Sequence, residues 1–319
     1  MHFDEIPVID VSSTLSPDAA ARKATAREIR DACMSAGFFL AKGHGVADDL
    51  IAGQFDWTRR FFELPADVKQ HYAVGTLPGH RGWEPLGAQV LDADALPDLK
   101  ESFYTGIDYP ADHPNVVAGL AGYSPSVQVG ELPGFSPQMD AYVTAMRDLG
   151  MRIVRLIALS LDLDEDYFDE MFVEPMGTLR LLRYPPQPAG APANQYGAGA
   201  HTDWEVVTLL AQDDAGGLEV RNPKGDWIPA PPIPGTFVVN LGDMIPRWTN
   251  GYYRSNLHRV INRHGTERVR YSVPFFFGPN YHARIECVPT LADKPPLGAF
   301  TPCTVGEHVA EMYARTQAG

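Results

Sequence analysis

The chain has 319 residues, of which 45% are hydrophobic and 21% charged, a balance typical of a folded globular protein and not of a disordered one. The 40 acidic and 26 basic residues give a net charge of −14. A negative charge of this size opposes binding to nucleic-acid phosphates or anionic membrane surfaces, so we expect neither partner.

The cysteines indicate the compartment. Cys33, Cys287 and Cys303 are odd in number and form no CxxC pair, which excludes a disulfide framework and a cysteine zinc site and favours a reducing environment. The chain begins with acidic residues and lacks the apolar segment of a secretory signal, and the apolar stretch 153–163 is too short to cross a bilayer. We therefore expect a cytoplasmic protein.

The N-terminal part alternates short strands with helices. Residues 6–11 alternate apolar and polar positions and predict a strand. Ser16 followed by Pro17 predicts a helix that has Ser16 as its N-cap and ends near Ser35. The other elements predicted here are a buried strand at 38–40, a turn at 43–45 around His44, a helix at 48–62 and a short helix after Pro65.

A long irregular stretch follows. Residues 73–135 are rich in Gly, Pro and Asp and show little periodicity, so they predict a packed functional loop. Apolar residues at helical spacing then predict a long core helix over 137–161, and a shorter acidic helix is predicted at 165–172.

After Gly177 the pattern changes to short β-branched and aromatic runs, which predicts a barrel or sandwich. We expect one domain over 1–319, with an N-terminal helical and loop region at 1–135 and the long helix, β core and C-terminal helix at 136–319. The predicted strands lie at 178–184, 206–212, 217–220, 227–229, 236–241, 255–260 and 269–277, and the C-terminal helix at 304–313.

Three residues have the chemistry of a metal site. His201 and Asp203 are two positions apart, so an extended chain places both side chains on one face. His258 lies in another predicted strand. Two histidines and one carboxylate form the facial triad that holds non-haem Fe(II) and leaves positions open for other ligands. The alternative is a hydrogen-bonded histidine beside an exposed aspartate.

A buried arginine is predicted on the last long strand. Strand alternation places Arg270, Ser272, Pro274 and Phe276 on one face. The planar guanidinium of Arg270 is suited to bind a ligand carboxylate in bidentate fashion, with the hydroxyl of Ser272 as a further donor. The alternative is a structural salt bridge with an acidic partner elsewhere.

At this point the sequence resembles the isopenicillin N synthase-like Fe(II) oxygenases, most of which use 2-oxoglutarate. The resemblance covers nearly the whole chain and implies an α+β fold with a mainly β core, a double-stranded β-helix (jelly roll) flanked by N-terminal and long central helices. The motifs that carry it, in order, are Ile6-Pro7-Val8-Ile9-Asp10, Gly37-Phe38-Phe39, Gly43-His44-Gly45, Leu179-Arg180-Leu181-Leu182-Arg183-Tyr184-Pro185-Pro186, His201-Thr202-Asp203, Thr208-Leu209-Leu210, Gly216-Gly217-Leu218, Val239-Asn240-Leu241-Gly242-Asp243, Trp248-Thr249-Asn250-Gly251, His258-Arg259-Val260 and Arg270-Tyr271-Ser272.

The resemblance also implies roles for individual residues. It implies that His201, Asp203 and His258 bind iron, and that Arg270 and Ser272 bind the distal carboxylate of 2-oxoglutarate. Tyr184 matches a tyrosine whose hydroxyl often joins this pair. One departure concerns the keto-acid end of the cosubstrate, because Leu182 stands where some plant members have asparagine.

The expected function is an Fe(II)- and 2-oxoglutarate-dependent dioxygenase. It would use O2 to hydroxylate or desaturate a small organic molecule, release succinate and CO2, and need no general base. One alternative is an oxidase of the same fold that does not use 2-oxoglutarate, since such oxidases keep the Arg-x-Ser pair. A second is a non-catalytic jelly-roll binding protein. The sequence identifies neither the substrate nor the oligomeric state.

The substrate pocket is expected to involve Phe276, which lies further along the inward face from Ser272. Residues of the long loop are further candidates, with ordinary packing as the alternative for each of them: Arg81, Trp83, Phe103 and Tyr104.

Overall fold

The computed structural model describes residues 2–77, 79–187, 190–262 and 268–317. Among these residues, no helix combines the length and the apolar character needed to span a bilayer. The helices are α1 (Ala19–Ser35), α2 (Asp48–Phe62), α3 (Ala66–Gln70), α4 (Pro114–Val117), α5 (Phe135–Ser160), α6 (Met244–Trp248) and α7 (Val305–Gln317), with 3-10 turns at Ser12–Leu15, Asp169–Phe172 and Pro289–Leu291.

The strands form a large and a small sheet, with a two-stranded ribbon beside them. The large sheet has the order β1-β2-β10-β7-β12-β5-β4-β3, the small one β6-β11-β8-β9, and the ribbon pairs β13 with β14. The strands are β1 (Val8–Asp10), β2 (Phe38–Lys42), β3 (Gly82–Glu84), β4 (Glu101–Gly106), β5 (Met176–Tyr184), β6 (Ala198–His201), β7 (Val207–Gln212), β8 (Leu218–Arg221), β9 (Trp227–Pro229), β10 (Thr236–Leu241), β11 (His258–Val260), β12 (Arg270–Gly278), β13 (Arg284–Ile285) and β14 (Cys303–Thr304).

This arrangement is a jelly roll with helices packed outside it, as expected. The core strands pair in the antiparallel sense, and each alternates between an outer face toward the helices and an inner face toward a cavity. Helix α5 buries one face, which includes Met146 and Ile153, and packs against α1 and α2. This helical layer covers the outer face of the large sheet.

The start of α1 differs from the prediction. The N-cap is Asp18 and not Ser16, because the Asp18 carboxylate accepts hydrogen bonds from the backbone N–H groups of Ala20 and Ala21. The helix ends at Ser35 as predicted, and Gly37 follows with φ of 63°. A side chain at Gly37 would stand 2.2 Å from the carbonyl oxygen of Arg254, so this close approach requires glycine.

The segment 73–135 is more regular than predicted. It contains β3, β4 and the short helix α4, and both strands join the large sheet, where β4 pairs with β5 and β3 with β4. Every residue of β4 is buried although the strand begins with Glu101. That carboxylate is paired with Lys69 and Arg183, so its charge is compensated by residues distant in sequence.

Two further predictions are corrected. The acidic segment 165–172, predicted to be a helix, forms only one 3-10 turn at Asp169–Phe172. The strands β6, β13 and β14 have two to four residues each and lie where no strand was predicted. Short strands of this kind lack the alternation on which sequence patterns depend.

Candidate active site

The two histidines of the predicted triad are cross-strand partners. His201 ends β6, His258 begins β11, and the register places their Cα atoms opposite each other. The two ring centroids lie 4.3 Å apart. Asp203 follows β6, and its Oδ1 lies 3.9 Å from Nε2 of His201 and 3.7 Å from Nε2 of His258. All three ligand atoms lie within 4.8 Å of one another, a separation that suits one shared metal ion.

Backbone carbonyls orient both rings. Nδ1 of His201 lies 2.8 Å from the carbonyl oxygen of Gly199, and Nδ1 of His258 lies 3.3 Å from that of Asn256. A carbonyl only accepts, so Nδ1 carries a proton in each ring and Nε2 is the nitrogen that remains to face a metal ion. Burial and the neighbouring His258 lower the pKa of His201 to about 3, which keeps this imidazole in the neutral, metal-binding form.

Two polar side chains hold the carboxylate of Asp203. Thr208 donates to Oδ2 at 2.6 Å and Asn240 donates to the same oxygen at 2.7 Å, so Oδ1 stays directed toward the histidines. Burial opposes ionisation, but His258, His201 and these hydrogen bonds outweigh it and hold the pKa of Asp203 below its ordinary value. Sequence reasoning assigns Asn240 only to a turn. The sequence did contain a signal for a further role of Asn240, namely an amide side chain inside the mostly apolar strand β10.

Arg270 lies at the start of β12, opposite Tyr184 of β5, with 1% of its surface exposed. Its Nε donates to the carbonyl oxygen of Gly216 at 2.6 Å and its Nη1 to Oγ of Ser272 at 3.1 Å. The guanidinium carbon lies 4.7 Å from the ring centroid of Tyr184. Its Nη2 is buried and has no hydrogen-bond acceptor among the described residues. This unpaired donor suits the carboxylate oxygen of a ligand.

One cavity joins the triad to Arg270. Ser272, Pro274 and Phe276 line it from β12, in agreement with the predicted alternation, and Leu182 lines it from β5. The remaining wall is mostly apolar. It contains Phe38, Leu91, Tyr184, Ala198, Leu210, Leu218 and Val260.

Three of the loop residues proposed for the pocket lie elsewhere. Arg81 is buried and donates to Oγ of Ser124 at 2.7 Å. Trp83 and Phe103 belong to the hydrophobic cluster under the helical layer, where the Phe103 ring centroid lies 4.3 Å from that of Phe61. None of the three is among the described residues that line the cavity. The alternation of β3 and β4 turns Trp83 and Phe103 toward the helices, whereas Arg81 precedes β3.

Tyr104 lies closer to the cavity but behind its wall. The guanidinium carbon of Arg180 lies 4.6 Å from the Tyr104 ring centroid, and Arg180 itself lines the cavity. Lys100 lines it as well. Sequence reasoning missed both basic residues. The signal in the case of Arg180 was a charge on the inward face of β5, two positions before Leu182.

The two packed sheets, with two histidines, an aspartate and a buried arginine around one cavity, define a jelly-roll protein with a candidate mononuclear metal centre. Comparison with known families agrees with this class. Residues 6–124 match the family described as "non-haem dioxygenase in morphine synthesis N-terminal". Residues 175–279 match the 2OG-Fe(II) oxygenase superfamily.

Similar proteins cover the whole chain. A 2-oxoglutarate-dependent dioxygenase of Monascus ruber is 40% identical over 98% of this chain and 95% of its own. A 2-oxoglutarate-Fe(II) type oxidoreductase of Aspergillus fumigatus is 36% identical over 97% of this chain and 93% of its own. A full-length Neurospora crassa protein, solved as a crystal structure in complex with alpha-KG, matches with a TM-score of 0.86 at 31% identity, over 98% of this chain and 96% of that one.

The chain therefore belongs to the 2OG-Fe(II) oxygenase superfamily. It is an enzyme that uses Fe(II), 2-oxoglutarate and O2 to oxidise a small organic molecule, with release of succinate and CO2. The donor set fits these groups, because two imidazoles and a carboxylate are ligands for Fe(II) and the unpaired Nη2 of Arg270 suits a carboxylate.

Proposed function

We propose that Nε2 of His201, Oδ1 of Asp203 and Nε2 of His258 hold Fe(II), and that Arg270 and Ser272 hold the distal carboxylate of 2-oxoglutarate. The observation that carries this proposal is the buried, unpaired Nη2 of Arg270 in the cavity that the triad also lines. Bound Fe(II) and 2-oxoglutarate supply the activation of O2 that oxidises a substrate C–H bond, by hydroxylation or desaturation.

The chain's own groups position the reactants. The carbonyl oxygen of Gly216 fixes the guanidinium of Arg270, and the ring of Tyr184 packs against it, so the fork is preorganised for a planar carboxylate. Leu182 stands where some plant members of the resembled family have asparagine, and its apolar side chain lines the cavity and would exclude water beside the cosubstrate. Phe276 offers an apolar wall for the substrate, and no side chain is required to transfer a proton.

We also propose finer assignments for the whole chain. The ordered motifs support the isopenicillin N synthase-like branch of the superfamily. Pairing of β2 with β10 and of β4 with β5 supports one domain over 1–319, since the region 1–135 contributes strands to the large sheet. The three unpaired cysteines support a cytoplasmic location.

The test is succinate release by the Fe(II)-loaded protein in the presence of O2 and 2-oxoglutarate, with and without candidate substrates. We expect slow release alone and faster release with a substrate. The variant Arg270→Leu should bind Fe(II) as the wild type does but fail to bind 2-oxoglutarate. Equal succinate release by this variant would contradict the assigned clamp.

A further inference from the structure

The cavity has a second basic region away from Arg270, formed by Arg180 and Lys100. Arg180 lies on β5 four residues before Tyr184, the cross-strand partner of Arg270. Positions four residues apart on a strand share a face and lie about 13 Å apart. Arg180 therefore lines the part of the cavity beyond the proposed site of the 2-oxoglutarate distal carboxylate, where the prime substrate would lie.

Arg180 is held in place but keeps an unused donor. Its Nη2 donates to Oε1 of Gln89 and to Oγ of Ser102, both at 2.7 Å, and its guanidinium packs on the ring of Tyr104. Its Nε is buried and has no acceptor among the described residues. A buried N–H without an acceptor costs stability, and an oxygen atom of a bound molecule would remove that cost.

Lys100 is a second donor in this region. Its Nζ donates to Oδ2 of Asp98, and Oδ1 of Asp98 accepts from the backbone N–H of Gly199 at 2.8 Å. An ammonium group has three N–H bonds, so two remain after the bond to Asp98. Burial and the nearby charge of Arg180 lower the pKa of Lys100 to about 8, so Lys100 is mostly protonated at neutral pH.

The charges in this region balance. Lys100 is matched by Asp98, and Nη2 of Arg180 lies 3.5 Å from Oε2 of Glu84. Neither carboxylate lines the cavity. A substrate carboxylate would add an uncompensated charge to a buried site, which is costly. An uncharged oxygen acceptor satisfies the donor without this cost.

We propose that the prime substrate is a small uncharged molecule with a carbonyl oxygen, such as an amide, lactam or ketone, and that this oxygen accepts a hydrogen bond from Nε of Arg180. Lys100 donates a second hydrogen bond, and the apolar part of the substrate lies against Phe276 and Leu91. This inference rests on the proposed function and specifies the substrate class of the same site.

The experiment uses pairs of probes that differ in charge but hardly in shape: benzamide with benzoate, and nicotinamide with nicotinate. Binding to the protein loaded with Fe(II) and 2-oxoglutarate is measured under argon by ligand-observed NMR and calorimetry. We expect each amide to bind at least tenfold more tightly than its carboxylate. Binding of 2-oxoglutarate is measured in the same samples, so that failure of the proposed function is recognised separately.

Three variants test the residues. Arg180→Lys keeps the positive charge but lacks Nε–H, and we expect at least a tenfold loss of amide binding with unchanged affinity for 2-oxoglutarate. Arg183→Lys is the matched control, because Arg183 lies on the opposite face of β5 and bonds to Glu101. Glu84→Gln removes one compensating charge and should improve benzoate binding.

Three results would overturn the proposal. They are carboxylates that bind the wild type as tightly as the amides, Arg180→Lys with unchanged amide binding, and no binding of any probe to protein that does bind 2-oxoglutarate. If 2-oxoglutarate itself does not bind, the proposed function fails first.

Discussion

Asn240, on strand β10 of the large sheet, donates a 2.7 Å hydrogen bond to Oδ2 of Asp203. Because Thr208 donates to the same oxygen, the carboxylate cannot turn Oδ1 away from the two histidines without breaking both bonds. The candidate metal site is thus anchored to strands β7 and β10 through Oδ2 of Asp203, and Oδ1 is the oxygen nearer the two histidines.

Asn240→Leu removes this donor with little change in volume. We expect the affinity for Fe(II) to fall about 10- to 100-fold, the usual effect of losing a group that orients a ligand. Metal titration under argon measures it. Thr58→Val is the control, since it also removes a buried hydrogen bond, from Thr58 to the carbonyl oxygen of Gln54, at a site remote from the cavity. Equal affinities in the two variants would contradict the anchoring role.

Alanine at His201, Asp203 or His258 should abolish turnover and stoichiometric Fe(II) binding. The three side chains lie at a cavity and not in the main hydrophobic cluster, so we expect far-ultraviolet circular dichroism to remain that of the wild type. Near-native turnover by any of the three variants would show that the triad is assigned wrongly.

Arg270→Lys keeps the charge but loses the planar fork, which is not a conservative change at a bidentate site. The apparent KM for 2-oxoglutarate should rise tenfold or more, because a hydrogen bond to a charged group contributes roughly 1.5–3 kcal/mol. Arg247→Lys, in a surface pair with Glu311, should leave KM unchanged. An unaltered KM in Arg270→Lys would instead favour a site that binds the substrate's own carboxylate.

Phe275 and Phe276 are adjacent on β12 and face opposite sides of the sheet. Phe276 lines the cavity, so Phe276→Ala should raise the ratio of succinate to oxidised product. Phe275 is fully buried in the hydrophobic cluster, so Phe275→Ala should lower the free energy of unfolding by about 3–5 kcal/mol. Product analysis and denaturant unfolding of both variants separate the two roles. If Phe276→Ala lost much stability but kept the wild-type ratio of succinate to product, Phe276 would not be a substrate-binding residue.

His44 provides a prediction on pH. It is buried in the turn after β2, where its Nδ1 accepts a hydrogen bond from the backbone N–H of Val46 at 3.1 Å, and burial lowers its pKa. The unfolded chain therefore binds a proton more readily, and stability should fall as the pH drops below about 6.5. His44→Asn should reduce this fall, measured by urea unfolding at about pH 7.5 and about pH 5.5, on either side of the ordinary histidine pKa. The same substitution at exposed His282 should leave it unchanged.

Local periodicity accounts for what could be predicted. Alternation along a strand is a property of neighbouring residues, so the sequence correctly placed Arg270, Ser272 and Phe276 on one face of β12. The long helix α5 could be predicted for the same reason, because its apolar residues recur with the period of a helix. Strand β4 was predicted as part of a loop because its burial depends on distant residues. Its charged residue Glu101 is compensated by Lys69, a contact that no local pattern contains.

The period of the strands predicted a barrel or sandwich, and the ordered motifs, through the family resemblance, implied the jelly roll, the Fe(II)- and 2-oxoglutarate-dependent enzyme and the candidate site residues. Only the tertiary structure shows that His258 lies opposite His201 and that Asn240 donates a hydrogen bond to Asp203. It also shows that Trp83 and Phe103 lie in the hydrophobic cluster and that Arg180 lines the cavity. These relationships depend on strand register between distant segments, and register is decided by the packing of whole sheets.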